Sequence, residues 1–157
     1  MKINIRLLAI CIAIPLMVGV LSSILTSNSM EAFAQIRQPV FAPPAWLFPI
    51  AWTILYTLMG ISSYIILTST VPRIQKEAAI RIYAYQLAVN FLWSTFFFNL
   101  GWYLFAFFWL LLLWVLVIVM IIRFWNINKL AAYLNIPYIL WLTFAAVLNF
   151  AIWILNR

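Results

Sequence analysis

The chain has 157 residues, of which 69% are hydrophobic and 7% charged, with a net charge of +7. A soluble domain carries about 25% charged residues, so this chain has too few polar side chains to coat a water-facing surface. It reads as one all-α membrane domain, residues 1–157, and its basic excess as loop charge under the positive-inside rule. No basic stripe with interleaved polar readers stands out, which argues against nucleic acid as a partner. There is no His, Cys11 is the sole cysteine, and Glu31 and Glu77 are the only carboxylates. Ordinary zinc and di-iron sites are thereby excluded, and Cys11 reads as a small buried apolar residue.

Spacing and hydropathy predict five transmembrane helices, at about 5–25, 46–68, 78–98, 103–122 and 131–155, forming a bundle. Lys2 and Arg6 precede the first, and Pro15, Gly19, Ser22 and Ser23 share one side of it as a close-packing face. A basic start, an apolar run and Ala32-Phe33-Ala34 also fit a signal peptide with a small-residue cleavage site. The run exceeds the ~7–15 residues of a signal core, so a retained first helix is the expectation. Residues 26–45 form the longest polar stretch. Helix connections usually take about 2–8 residues, so this one reads as a pocket lid or as a plain solvated connector.

Pro43 and Pro44 end that loop, since each fixes φ and lacks a backbone donor. Pro49 falls in the first turn of the second helix, where a missing N–H costs little. Trp52, Tyr56, Met59 and Ser63 then recur on one face. Pro72 breaks the chain before the third helix, which carries Gln86, Asn90 and Ser94 on one face beside Trp93 and Phe97. Asn99-Leu100-Gly101 is a short turn. The fourth helix has no small polar residue and reads as the most lipid-exposed. The fifth contains Pro137, expected to kink it, and a face of Tyr138, Trp141, Ala145, Leu148, Asn149 and Ile152.

Five spans put seven basic residues on the N-terminal side (Lys2, Arg6, Arg73, Lys76, Arg81, Arg123, Lys129) and two, Arg37 and Arg157, on the other. That asymmetry predicts the N-terminus inside and the C-terminus outside a cell membrane, with the Pro43-Pro44 loop on the outer side. No charged residue lies mid-span, which argues against a proton relay or voltage sensor. Gln86, Asn90, Ser94 and Asn149 must find partners in hydrocarbon. They either hold helices together or orient a ligand at a pocket rim. Of nine tryptophans, Trp46, Trp102, Trp125 and Trp153 lie near span ends, as interfacial residues do. Trp109 and Trp114 either face lipid or pack. Trp52, Trp93 and Trp141 share faces with polar or aromatic companions, as core packing or as an aromatic box for a flat apolar ligand. Ala84 and Ala88 form a small-xxx-small pair, either a homodimer seam or packing within the monomer. Arg81 to Leu87 also matches a reversed cholesterol-contact pattern.

Four runs together resemble the tryptophan-rich sensory protein/translocator protein family (TspO/MBR). They are Pro39-x3-Pro43-Pro44-x3-Phe48-Pro49-x2-Trp52-x2-Leu55-Tyr56-x2-Met59-Gly60; Gln86-Leu87-x2-Asn90-x2-Trp93-Ser94-x2-Phe97-Phe98; Pro137-Tyr138-x2-Trp141-x2-Phe144-Ala145; and Leu148-Asn149 with Leu155-Asn156. The resemblance implies a five-helix bundle, usually a homodimer. It implies a pocket, open towards the first loop, for porphyrins and synthetic isoquinoline or benzodiazepine-type ligands, and in some members sterols. The pocket positions so implied are Trp52, Tyr56, Asn90, Trp93, Ser94, Trp141, Ala145 and Leu148, with Pro43 and Pro44 at the mouth. The chain departs from the family pattern at Ala32-Phe33 and Phe41, where Trp-Tyr and Trp are frequent.

The expected function is therefore an integral membrane receptor, sensor or carrier for a porphyrin or haem, in contact with membrane lipid, with no required cofactor or metal. Two alternatives stand beside it. One is light-dependent porphyrin degradation, in which Trp93 and Trp141 would be the redox-active neighbours. The other is a structural membrane interaction protein.

Overall fold

A computed structural model describes residues 3–157, apart from the side chains of residues 30–32. Lys2, counted above with the inner charges, lies outside the described residues, as do the side chains of Glu31 and Ala32. The elements are α1 (Ile5–Thr26), a 3₁₀ turn (Ser27–Ser29), α2 (Met30–Gln35), α3 (Leu47–Leu67), α4 (Arg73–Ser94) widening into a π-type turn (Thr95–Asn99), α5 (Tyr103–Trp125), α6 (Lys129–Tyr133) and α7 (Ile136–Leu155). Among the described residues the fold is entirely helical.

Among the described residues four helical segments are long and apolar enough to cross a membrane: α1 with its 3₁₀ extension, α3, α5, and α6 with α7. The fifth long helix, α4, has 22 residues but is less apolar. It begins five residues before the apolar stretch that predicts it, because its first turn is polar. Pro72 stands at its N-cap and accepts the Gln75 N–H at 3.0 Å, and Arg73 pairs with Glu77 one turn on.

α1 packs most extensively on α3. Gly60 permits this: a Cβ there would lie 2.5 Å from Ile12 Cα and 2.7 Å from the Cys11 carbonyl oxygen. Asn4 N–H donates to the Tyr64 hydroxyl at 3.0 Å, which joins the start of α1 to the end of α3. On the expected packing face of α1, Pro15 is buried, Gly19 meets Tyr56 and Ser22 bonds Ser94, whereas Ser23 is exposed.

Two expectations are corrected. α5 is not the most exposed helix: it packs against α4, α6 and α7 and buries Ala106, Leu110, Leu113, Val117, Met120 and Phe124. Buried residues make up 28% of its apolar window against 11% for α1. An apolar side chain serves core and lipid equally well, so the lack of polar residues does not mark exposure. Trp109 and Trp114 pack too, through indole N–H bonds to the Val89 carbonyl (2.8 Å) and Thr143 Oγ1 (2.9 Å).

The second correction concerns Pro137. It does not kink a continuous helix. The chain breaks at Leu134-Asn135, and Pro137 falls in the first turn of α7, where its missing N–H has no partner to lose. Asn128 caps α6 by accepting the Ala131 N–H at 3.2 Å. Asn135 is fully buried and donates to both the Ala131 carbonyl (2.8 Å) and Ser62 Oγ (2.7 Å), tying the break to α3.

Candidate functional site

Facing residues of α3, α4 and α7 make a one-way chain of hydrogen bonds through the main core. The Tyr56 hydroxyl donates to Asn90 Oδ1 at 3.2 Å. Asn90 Nδ2 donates to the Tyr138 hydroxyl at 2.7 Å, and Tyr138 donates to Gln86 Oε1 at 2.9 Å. Gln86 Nε2 ends the chain on the Met59 sulfur at 3.7 Å, a weak acceptor. All five residues are buried. The helical spacing Gln86–Asn90 and Tyr56–Met59 puts each pair on one face, and the amides must be partnered because the surroundings offer no water.

Trp52 covers the start of this chain. Its ring stacks on Tyr56 with centroids 5.2 Å apart and meets Tyr138 edge-on at 6.2 Å. Tyr56 also lies against Gly19 of α1. Trp141 stands between Phe48 (5.9 Å) and Phe144 (5.7 Å), and Phe41 of the first loop reaches Phe144 at 6.5 Å. Trp93 stacks on Phe97 at 5.1 Å and donates its indole N–H to Asn149 Oδ1 at 3.3 Å. Asn149 passes this on to the Tyr103 carbonyl at 2.8 Å. The three tryptophans singled out in the sequence thus each anchor their own ring group, all partly buried against the same core.

The first loop sits over the second apolar cluster. Phe33, Ile36 and Ala42 pack with Phe48, Trp93 and Phe144 around buried Phe97, Ala106, Leu148 and Ile152. Phe33 contacts Phe98 at 5.0 Å and Phe97 at 5.5 Å. The loop is held by asparagines. Asn156 accepts the Arg37 N–H at 3.0 Å and donates to the Arg37 carbonyl at 2.8 Å. Asn99 accepts from the Ser29 hydroxyl at 2.8 Å and donates to the Leu25 carbonyl at 3.0 Å. Gly101 follows with φ +63°, a left-handed position that suits glycine.

Of the residues expected at a pocket, Trp52, Tyr56 and Asn90 come together, Trp93 and Leu148 pack in the cluster beneath the first loop, and Trp141 and Ala145 pack against the main core. Pro43 is half-buried and Pro44 exposed. Ser94 turns to α1 instead: it bonds Ser22 and donates to the Phe91 carbonyl. Ala84 and Ala88 are exposed on the outer face of α4. Sequence reasoning placed Tyr138 on the right face of α7 but did not include it in the site. Its position three residues before Trp141 was the available signal. Asn156 carries a signal only as part of the Leu155-Asn156 run, and Asn135 and Asn99 carry none, since each acts through a distant partner.

The family model for the TspO/MBR family matches residues 11–154. The chain belongs to that family. Tryptophan-rich protein TspO of Archaeoglobus fulgidus is 38% identical to it over 154 residues, 98% of this chain and 99% of that protein. Protein CrtK of Rhodobacter capsulatus is 36% identical over 124 residues, 79% of this chain and 78% of that one. The translocator protein of Sus scrofa is 33% identical over 146 residues, 89% of this chain and 84% of that one. With its apolar helices, this TspO/MBR chain is an integral membrane protein. Its tryptophans near helix ends are exposed or half-buried, and two carry a cation over the ring at 5.6 Å: Lys129 on Trp125 and Arg157 on Trp153.

Proposed function

We propose that this protein is a tetrapyrrole-binding receptor, sensor or carrier of the cell membrane, built as a five-span bundle with its N-terminus inside. α4 is the fifth span in this reading, its basic first turns lying at the inner interface and its buried Gln86 and Asn90 satisfied by neighbouring helices. The carrying observation is the Trp52–Tyr56 stack, held by Asn90 and Tyr138 and packed against the same core as Trp93 and Trp141. A flat apolar ring system matches such a surface: stacking contributes about 0.5–1.5 kcal/mol per ring pair beyond burial. The ligand, a porphyrin or haem, lies among Trp52, Tyr56, Asn90, Trp93, Trp141, Ala145 and Leu148. Residues 26–45 act as the lid and Pro43-Pro44 as its rigid hinge to α3. The exposed Ala84 and Ala88 supply the seam of a homodimer. The protein needs no cofactor of its own.

Titration of the protein with protoporphyrin IX, followed by tryptophan fluorescence, tests this reading. Saturable quenching is expected, with affinity lowered in Trp141→Ala. Quenching that does not saturate, or is unchanged in that variant, rejects it.

A second reading is light-dependent porphyrin degradation, favoured by the partly exposed indoles of Trp93 and Trp141 within ring clusters. Illumination of the complex would then bleach the porphyrin band, and Trp93→Phe with Trp141→Phe would abolish the bleaching. Equal bleaching in the variants removes enzymatic control. A third reading, a structural interaction protein, is favoured by the full interhelical pairing of Asn90. It prevails if Asn90→Ala unfolds the chain while binding per folded molecule is unchanged.

A further inference from the structure

An open crevice of about 500 Å³ lies between the end of α3 and the first three turns of α4. It is at the far end of α4 from the aromatic groups: Lys76 and Asn90 are 14 positions apart, roughly 20 Å at ~1.5 Å per residue. Leu67, Ile80 and Ala84 give it an apolar wall, and Arg73, Lys76, Glu77 and Arg81 its charge. The α4 residues recur every three or four positions, so they form one face. That face continues to the exposed Ala88.

The charges do not cancel. Glu77 is taken by Arg73. Lys76 Nζ donates to the Leu67 carbonyl at 3.2 Å, which leaves its other hydrogens free. Among the described residues Arg81 makes no ion pair. Two cations therefore border an apolar wall. A soluble anion would use the charges and leave the wall wet. An uncharged sterol would use the wall and leave the cations unmatched. An anionic head on acyl chains matches both.

We propose that this crevice holds the phosphodiester head of an anionic phospholipid. Lys76 and Arg81 hold the phosphate, and Leu67 and Ile80 pack against the upper acyl chains. Arg81 presents a planar fork of donors suited to phosphate oxygens, and Lys76 adds a point charge. The location fits the positive-inside end of the chain, where anionic lipid is concentrated. The proposal does not depend on tetrapyrrole binding, since no residue is shared between the two sites.

Native mass spectrometry of the full chain, released from mild detergent containing equal phosphatidylglycerol and phosphatidylcholine, provides the test. One phosphatidylglycerol per chain should be retained in preference to phosphatidylcholine. The double variant Lys76→Gln/Arg81→Gln should lose that preference roughly tenfold, with far-UV circular dichroism and porphyrin titration unchanged. If the double variant does not fold, the single exchanges decide: Arg81→Gln weakens retention and Arg81→Lys restores most of it. Equal retention of the two lipids overturns the proposal, as does a preference that survives the substitutions. Displacement of the lipid by millimolar inorganic phosphate would make this a free-phosphate site and also overturn it.

Discussion

The Tyr56 ring lies on Gly19 so closely that a Cβ at position 19 would sit 2.5 Å from Tyr56 Cε2. Tyr56 cannot simply swing away, because Trp52 stacks on it and its hydroxyl is bonded to Asn90. Gly60 is tighter in kind, since its contacts are backbone atoms of Cys11 and Ile12. Overpacking a filled core costs about 1–3 kcal/mol. Both Gly19→Ala and Gly60→Ala should lower the melting temperature in detergent, Gly60→Ala the more strongly, because there two helices must separate. A Gly60→Ala protein that melts like the parent would show that α1 does not dock on α3 as described.

Two of the buried core tyrosines, Tyr138 and Tyr83, should respond differently to loss of the hydroxyl. Tyr138 serves both Asn90 and Gln86, so Tyr138→Phe leaves two buried amides short of a partner, at about 1–3 kcal/mol. Tyr83 is also buried, yet its hydroxyl has no partner among the described residues. Tyr83→Phe should be neutral or slightly stabilising. Paired melting curves decide, and equal losses in the two variants would contradict the donor chain.

Asn135 provides a third test. It joins the α6–α7 break to Ser62 of α3. Asn135→Ala should cost about 1–3 kcal/mol, and Ser62→Ala should cost less once Asn135 is already gone. The double-mutant cycle measures this coupling. Simple additivity would mean that the two residues act separately.

Asn156→Ala removes both bonds to Arg37. The first loop should then exchange amide hydrogens faster over 36–46 and be cut sooner by trypsin after Arg37, with the melting temperature little changed. Unaltered exchange would show that the apolar contacts of Phe33, Ile36 and Ala42 hold the loop unaided.

Much of this arrangement was readable from residue order. Trp52, Tyr56, Met59 and Ser63 on α3, Gln86 and Asn90 on α4, and Phe97 in the π-type turn that follows it, point inward as their spacing requires. Polar or small residues make such faces distinct within apolar helices. Where a helix is apolar all round, as α5 is, periodicity cannot tell lipid from core. Its central place had to come from the structure. The α6–α7 break was hidden for another reason. Pro137 announces a disturbance, but its location two residues earlier depends on Asn135 finding Ser62 more than seventy positions away in the chain. Asn99 and Asn156 are similar cases: short polar residues at helix ends whose partners lie far away in the chain.

The Asn156–Arg37 pairing has a practical side. It fastens the first loop to the residue just after α7, so a reporter or purification tag fused close to Asn156 would crowd that fastening. Such a fusion would loosen or block that fastening while leaving the helices intact. Ligand affinities measured on protein carrying such a fusion would then differ from those on protein without it, and the size of that difference would report how firmly the loop is held.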